Sequence, residues 1–164
     1  MSAINIPLEE RSAFQQKLSS LVTANISLIE LAAEMLGWKR PASTIELNNT
    51  LQQGVTIETI RFFSGMMEMP MTEMAAILNI SYKTLTRKKK NETLDPAISS
   101  IVYEIAATYA HALEVFRDVA AVNTWLARPN RALAGSKPKD LLRTMTGIKL
   151  VNDILGRIEE GVYS

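Results

Sequence analysis

Cysteine is absent from this chain of 164 residues, histidine occurs once, aromatic residues make up 6%, and the net charge is only +1. Without cysteine there can be no disulfide and no thiolate metal site, so the fold must rest on packing alone. A single histidine, His111, lies one residue from an apolar stripe and reads as a boundary residue without chemistry. No apolar run reaches the roughly 18 residues that a membrane helix requires. The N-terminal text "MSAINIPLEERSAF" places acids where an export signal carries a basic head and an apolar run, so we expect a cytoplasmic protein. No Gly-rich phosphate loop, nucleophile set or carboxylate pair at metal spacing is visible, so an enzyme is not expected, nor a cofactor.

What is present is a 47% hydrophobic, 21% charged composition, ordinary for a globular domain of this length. Charge is unevenly spread. Residues 1–80 hold five basic and eight acidic side chains and residues 96–164 eight and seven, whereas residues 81–95 hold five and two. A local basic patch on a near-neutral body suits docking of phosphate better than it suits general polyanion binding, although a solvated charged face is the simpler reading.

Apolar spacing predicts helices throughout, hence an all-α fold. Leu8 to Leu36 reads as two helices, with Asn25 and Ser27 as stop and restart and Gly37 as terminator. Pro41 interrupts, and Ser43 or Thr44 can cap a short helix over 45–53. Thr56 caps a helix whose apolar face is Ile57, Ile60, Phe63 and Met67, and Pro70 closes it. In "MTEMAAILNISYKTLTRKKK" the apolar positions Met74, Leu78, Ile80 and Leu85, small Ala75, turn residue Asn79 and capping Ser81 have helix-turn-helix spacing. Asn79 falls where the turn wants a positive φ. This stretch resembles the helix-turn-helix of Xre-type bacterial regulators. On that register Ser81, Tyr82, Lys83, Thr86, Arg87 and Lys90 form the outward, DNA-contacting face of the second helix, and Lys88 stands where an apolar residue is usual.

Asp95 and Pro96 open a long core helix striped by Ile98, Ile101, Val102, Ile105, Tyr109, Ala112, Leu113 and Phe116; Asp118 opens another that ends at Trp125 and Leu126. The text that follows alternates short helices with Pro, Asn and Gly turns. Trp125-Leu126, Pro129-Asn130, Ala134-Gly135, Pro138 with Leu141-Leu142, Gly147 with Val151, and the closing "ILGRIEEGVY" resemble the C-terminal toxin-binding domain of the Xre/MbcA/ParS antitoxins paired with RES-domain toxins. Relatives often carry two glycines at Ala134-Gly135 and a basic residue where this chain has "SSIVYEI".

The resemblance covers about residues 54–164 and implies three spans: an N-terminal helical extension (1–42), a helix-turn-helix region (43–95) and a toxin-binding domain (96–164). It also implies an antitoxin that binds and sterically inhibits a cognate NAD-consuming RES-domain toxin and, as a homodimer, represses its own operon at operator DNA. Polar residues off the apolar stripe, namely Asn130, Arg131, Lys149, Asn152, Arg157, Glu160 and Tyr163, are the expected toxin contacts, with Lys149–Tyr163 as the inhibitory element. A stand-alone helix-turn-helix regulator is the alternative.

Overall fold

The computed structural model describes residues 8–24 and 26–162; Asn25 and Tyr163, both singled out above, lie outside the described residues. Ten α-helices and one 3-10 turn account for the regular structure among them, and the fold is all-α. In chain order these are α1 (Leu8–Thr23), α2 (Leu28–Met35), α3 (Thr44–Gln53), α4 (Ile57–Met66), α5 (Met71–Ile77), α6 (Tyr82–Arg87), α7 (Pro96–Phe116), α8 (Val119–Ala127), the 3-10 turn Arg131–Leu133, α9 (Pro138–Leu141) and α10 (Met145–Glu159).

Capping chemistry sets most of these boundaries. The side chains of Ser27, Ser43, Thr56, Ser81, Asp95, Asp118 and Thr144 each accept a hydrogen bond from a backbone N–H of the first turn that follows. Ser27 and Glu30 form a reciprocal capping box, and the Ser27 bonds hold the Glu30 carboxyl below its ordinary range. Gly37, at φ +66°, ends α2 in a turn whose backbone bonds run from Gly37 N–H to Glu34 and from Trp38 N–H to Ala33.

The long helix α7 is the organising element. It packs against α1, α2, α3, α8 and α10. Its 21 residues are apolar enough to be buried on most faces, with Val102, Ile105, Ala106, Tyr109, Ala112 and Leu113 each almost inaccessible. One hydrophobic cluster runs from Leu18 of α1 through Met35, Phe63, Met74 and Tyr109 to Leu155 of α10. All three sequence spans therefore share a core, and the N-terminal span contributes Leu18, Leu31, Ala32 and Met35 to it.

Polar links cross the same core. The Tyr109 hydroxyl donates to Asn123 Oδ1 at 2.7 Å, and Asn123 Nδ2 donates to the Met66 carbonyl at 3.0 Å, joining α7, α8 and α4. Burial pushes the Tyr109 phenol above its usual range, so it remains a donor. A partly shielded ion pair, Lys139 Nζ to Glu73 at 2.8 Å, ties α9 to α5.

Candidate functional site

Two exposed regions hold the residues marked in the sequence. The first is α5, its turn and α6. Met74, Ala75, Leu78 and Leu85 are buried, Asn79 takes φ +54° as its turn position requires, and Ser81 caps α6 through Thr84 N–H at 3.0 Å. Tyr82, Lys83, Thr86 and Arg87 are exposed on α6, and neither Lys83 nor Arg87 enters an ion pair among the described residues. The Thr86 hydroxyl donates to the Tyr82 carbonyl at 2.9 Å, so its oxygen keeps only acceptor capacity.

Lys90 departs from the expected face. The helix α6 is six residues long and stops at Arg87, and Lys88 is already extended at ψ 143°. Lys90 lies in the following turn, where its carbonyl accepts the Glu58 N–H at 3.0 Å; the Glu92 carbonyl accepts the Ile57 N–H at 2.9 Å. Two N–H groups left over at the start of α4 thus find partners in the segment after α6. Lys88 pairs with Glu92 at 3.6 Å, and the Lys89 backbone N–H, donating to the Glu92 carboxylate, holds that carboxyl below its usual range with help from the two lysines. Exposed cationic side chains at the end of α6 and in the turn beyond it form the patch, rather than one helical stripe.

The second region is a groove of about 460 Å³ bordered by the end of α7, by α8, the 3-10 turn and α10. Phe116 and Trp125 line it with ring centroids 5.5 Å apart and planes tilted by 42°. Ile154 and Ile158 of α10 supply the aliphatic side, and Asn130, Ala132 and Arg157 the remaining border. The Asn130 side chain accepts from Ala132 N–H at 2.9 Å and starts the 3-10 turn, which closes through Ala134 at φ +53° and Gly135 at φ +82°. Gly161, at φ +73°, lets the Val162 N–H reach back to the Arg157 carbonyl at 2.8 Å, which returns Val162 to the groove.

Of the expected toxin contacts, the structure brings Asn130 and Arg157 to this groove, while Arg131, Lys149 and Glu160 are exposed without lining it. Asn152 is spent internally. Its Nδ2 donates to Thr108 Oγ1 at 2.8 Å and to the Ile148 carbonyl at 3.1 Å, and its Oδ1 faces His111 Nδ1 at 3.0 Å. Because both donors of Asn152 are committed, its oxygen must accept, so His111 carries a proton on Nδ1. His111 Nε2 stands 3.5 Å from Glu159. An off-stripe polar residue can serve the helix–helix contact as readily as a partner, and Asn152 is engaged in the α7–α10 contact.

By residue type Trp125, Ile154 and Ile158 read as core positions, and nothing in Ala132 or Val162 marks a site residue. Trp125 and Ile158 are only partly buried. The groove forms where α7, α8, the 3-10 turn and α10 border one space, a tertiary relation that apolar spacing does not carry.

No described helix is long and apolar enough to cross a membrane, and no group of three metal-ligating side chains occurs among the described residues. An all-α scaffold with an apolar, cation-bordered groove suits the seating of another protein's side chain. Residues 111–161 match the model of the antitoxin Xre/MbcA/ParS C-terminal toxin-binding domain. Antitoxin Xre of Yersinia enterocolitica serotype O:8 / biotype 1B is 27% identical over 120 residues, covering 72% of this chain and 81% of that protein. The Prs ADP-ribosylating antitoxin of Sphingobium sp. strain YBL2 is 24% identical over 133 residues, covering 75% and 84%. These likenesses support a chain of Xre/MbcA/ParS antitoxin type and a role in a toxin–antitoxin system.

Proposed function

We propose that the chain is the antitoxin of a type II toxin–antitoxin pair, holding an NAD-consuming RES-domain toxin at the Phe116–Trp125 groove and binding operator DNA as a homodimer through α6. The observation that carries this reading is the coincidence of site and family segment. Every residue lining the groove except Val162 falls within residues 111–161, the stretch that matches a toxin-binding domain. The toxin presents an apolar side chain to the aromatic floor, with Arg157 and Asn130 bonding its main chain or a carboxylate. Exposed Arg131, Lys149 and Glu160 add contacts around that seat. The likeness to an ADP-ribosylating antitoxin accords with NAD chemistry in the partner, since ADP-ribosyl transfer breaks the nicotinamide–ribose bond of NAD. Lys83 and Arg87 contact phosphate or base edges, and a two-fold dimer supplies the second half-site that one short helix cannot read.

Co-expression with a RES-domain toxin encoded beside this chain, while cellular NAD is followed, tests the toxin half, and operator binding by the purified chain tests the other. Ala132→Trp fills the groove from an exposed position without removing core, and should weaken toxin binding by about 30-fold or more while leaving DNA affinity unchanged. Arg87→Ala should cost about 1–3 kcal/mol of DNA binding and leave NAD protected. Light scattering of the copurified complex should show two antitoxin chains. Full NAD protection by Ala132→Trp would place the toxin elsewhere; a protein that copurifies no toxin and responds instead to a small molecule is a stand-alone regulator.

A further inference from the structure

Three consecutive lysines, Lys88 to Lys90, follow α6, and Glu92 is the one acid between residues 81 and 94. Like charges set side by side repel, so a fixed backbone beneath them needs a cause. Here the backbone is fixed. The Lys89 N–H donates to the Glu92 carboxylate and the Glu92 N–H donates to the Lys89 carbonyl at 3.1 Å, which closes one turn from both ends. The carbonyls of Lys90 and Glu92 accept the Glu58 and Ile57 N–H groups at the start of α4. Beyond them Thr93 bridges to Thr56, and the Leu94 N–H donates to the Val55 carbonyl at 2.9 Å.

The anchor extends into α7. Buried Ser99 accepts the Val55 N–H at 2.8 Å and donates to the Leu94 carbonyl at 3.3 Å. Gly54, at φ +84°, lets the two segments close up, since a Cβ there would stand 2.3 Å from the Leu94 carbonyl oxygen. The side chains are as free as the backbone is held. Lys89 and Lys90 are exposed and enter no ion pair among the described residues, while Lys88 meets only Glu92, at 3.6 Å. An exposed pair of that kind contributes little, so Lys88 exchanges its partner readily.

We propose that the turn Lys88–Glu92 is a second DNA-contacting element, a ready-made phosphate clamp beside α6 in which Glu92 is the internal competitor that limits the grip. This role rests on the docking of α6 to DNA proposed above. Lys90 follows Arg87 by three residues, so their Cα atoms are at most about 11 Å apart, within the span of a few phosphates of one strand. Because the turn is ordered beforehand, contact restricts only the lysine side chains. The Glu92 carboxylate occupies Lys88 and repels an approaching phosphate, which holds down sequence-blind binding.

The test follows binding of the full chain to a mixed-sequence duplex as a function of salt. Lys89→Ala and Lys90→Ala should each make the log–log slope shallower by about 0.9, and Lys39→Ala, exposed between α2 and α3, should leave it unchanged. Glu92→Gln keeps an oxygen for the Lys89 N–H but loses the charge, and should tighten binding by about two- to fivefold at low salt. Adding Lys88→Ala should cancel that gain. A loosened turn weakens binding, so a gain separates the competitor role from a structural one. Unchanged slopes in the Lys89 and Lys90 variants, with binding still weakened by Arg87→Ala, overturn the clamp alone. Unchanged binding in Arg87→Ala as well removes the α6 reading with it, and a Glu92→Gln protein that binds no tighter than the original strikes out the competitor.

Discussion

Glu114 shows how a single side chain records its surroundings. Desolvation by burial raises its carboxyl above the ordinary glutamate range, the Glu159 charge adds to the rise, and His111 and Arg117 oppose it. A carboxyl with a raised folded-state pKa binds protons more readily folded than unfolded, so the stability it lends is complete below the ordinary glutamate range and is lost as pH climbs through the raised value. Glu114→Gln should therefore increase Tm at about pH 7 and leave it nearly unchanged at about pH 4. Thermal unfolding at the two pH values checks the sign; a larger gain at the acidic value contradicts it. Residues with a local signature were legible from sequence, as Asn79 and Ser81 show. Glu68 and Arg117, at φ +52° and +59°, were not, because nothing in either side chain marks a left-handed position that packing imposes.

At the scale of the element, α9 and α10 meet at a glycine. A Cβ on Gly147 would lie 1.9 Å from the Leu141 carbonyl oxygen, which is backbone and cannot swing aside, whereas one on Gly156 would meet nothing within 4 Å. Gly147→Ala should destabilise by about 1–3 kcal/mol through overpacking. Gly156→Ala, in the same helix, should instead stabilise by about 0.5–1 kcal/mol through helix propensity. Chemical denaturation of the pair separates close approach from propensity, and equal effects of the same sign would refute the distinction. Helix existence and order were readable because caps such as Asp95 and Asp118 precede clear apolar periodicity. The length of α6 was not: Lys88, flagged by its missing apolar character, is where the helix gives way, and the chain then turns to serve the N-terminus of α4.

The whole molecule is joined by the Tyr109–Asn123–Met66 relay as well as by apolar packing. Asn123→Ala leaves a buried hydroxyl and a buried carbonyl without partners, and should cost about 2–4 kcal/mol and lower Tm by roughly 5–15 °C. Because one cluster links Leu18 to Leu155, that loss should move a single unfolding transition for near-UV and far-UV signals alike. Separate shifts for the two probes would mean that the halves melt independently.

The long helix places limits on inheritance. Residues 111–161 take in only the last six residues of α7, and the same helix also packs against α2 and α3. A crossover that replaced this segment with a relative's would join two halves of one helix selected against different neighbours, and would carry Asn123 away from the Met66 carbonyl it was fitted to. On the proposed seating of the toxin, partner choice can drift through Ala132, Arg157 and Val162 at the groove while the interior stays fixed. Recombination between lineages is thereby a poorer route to new pairings than point substitution along the rim.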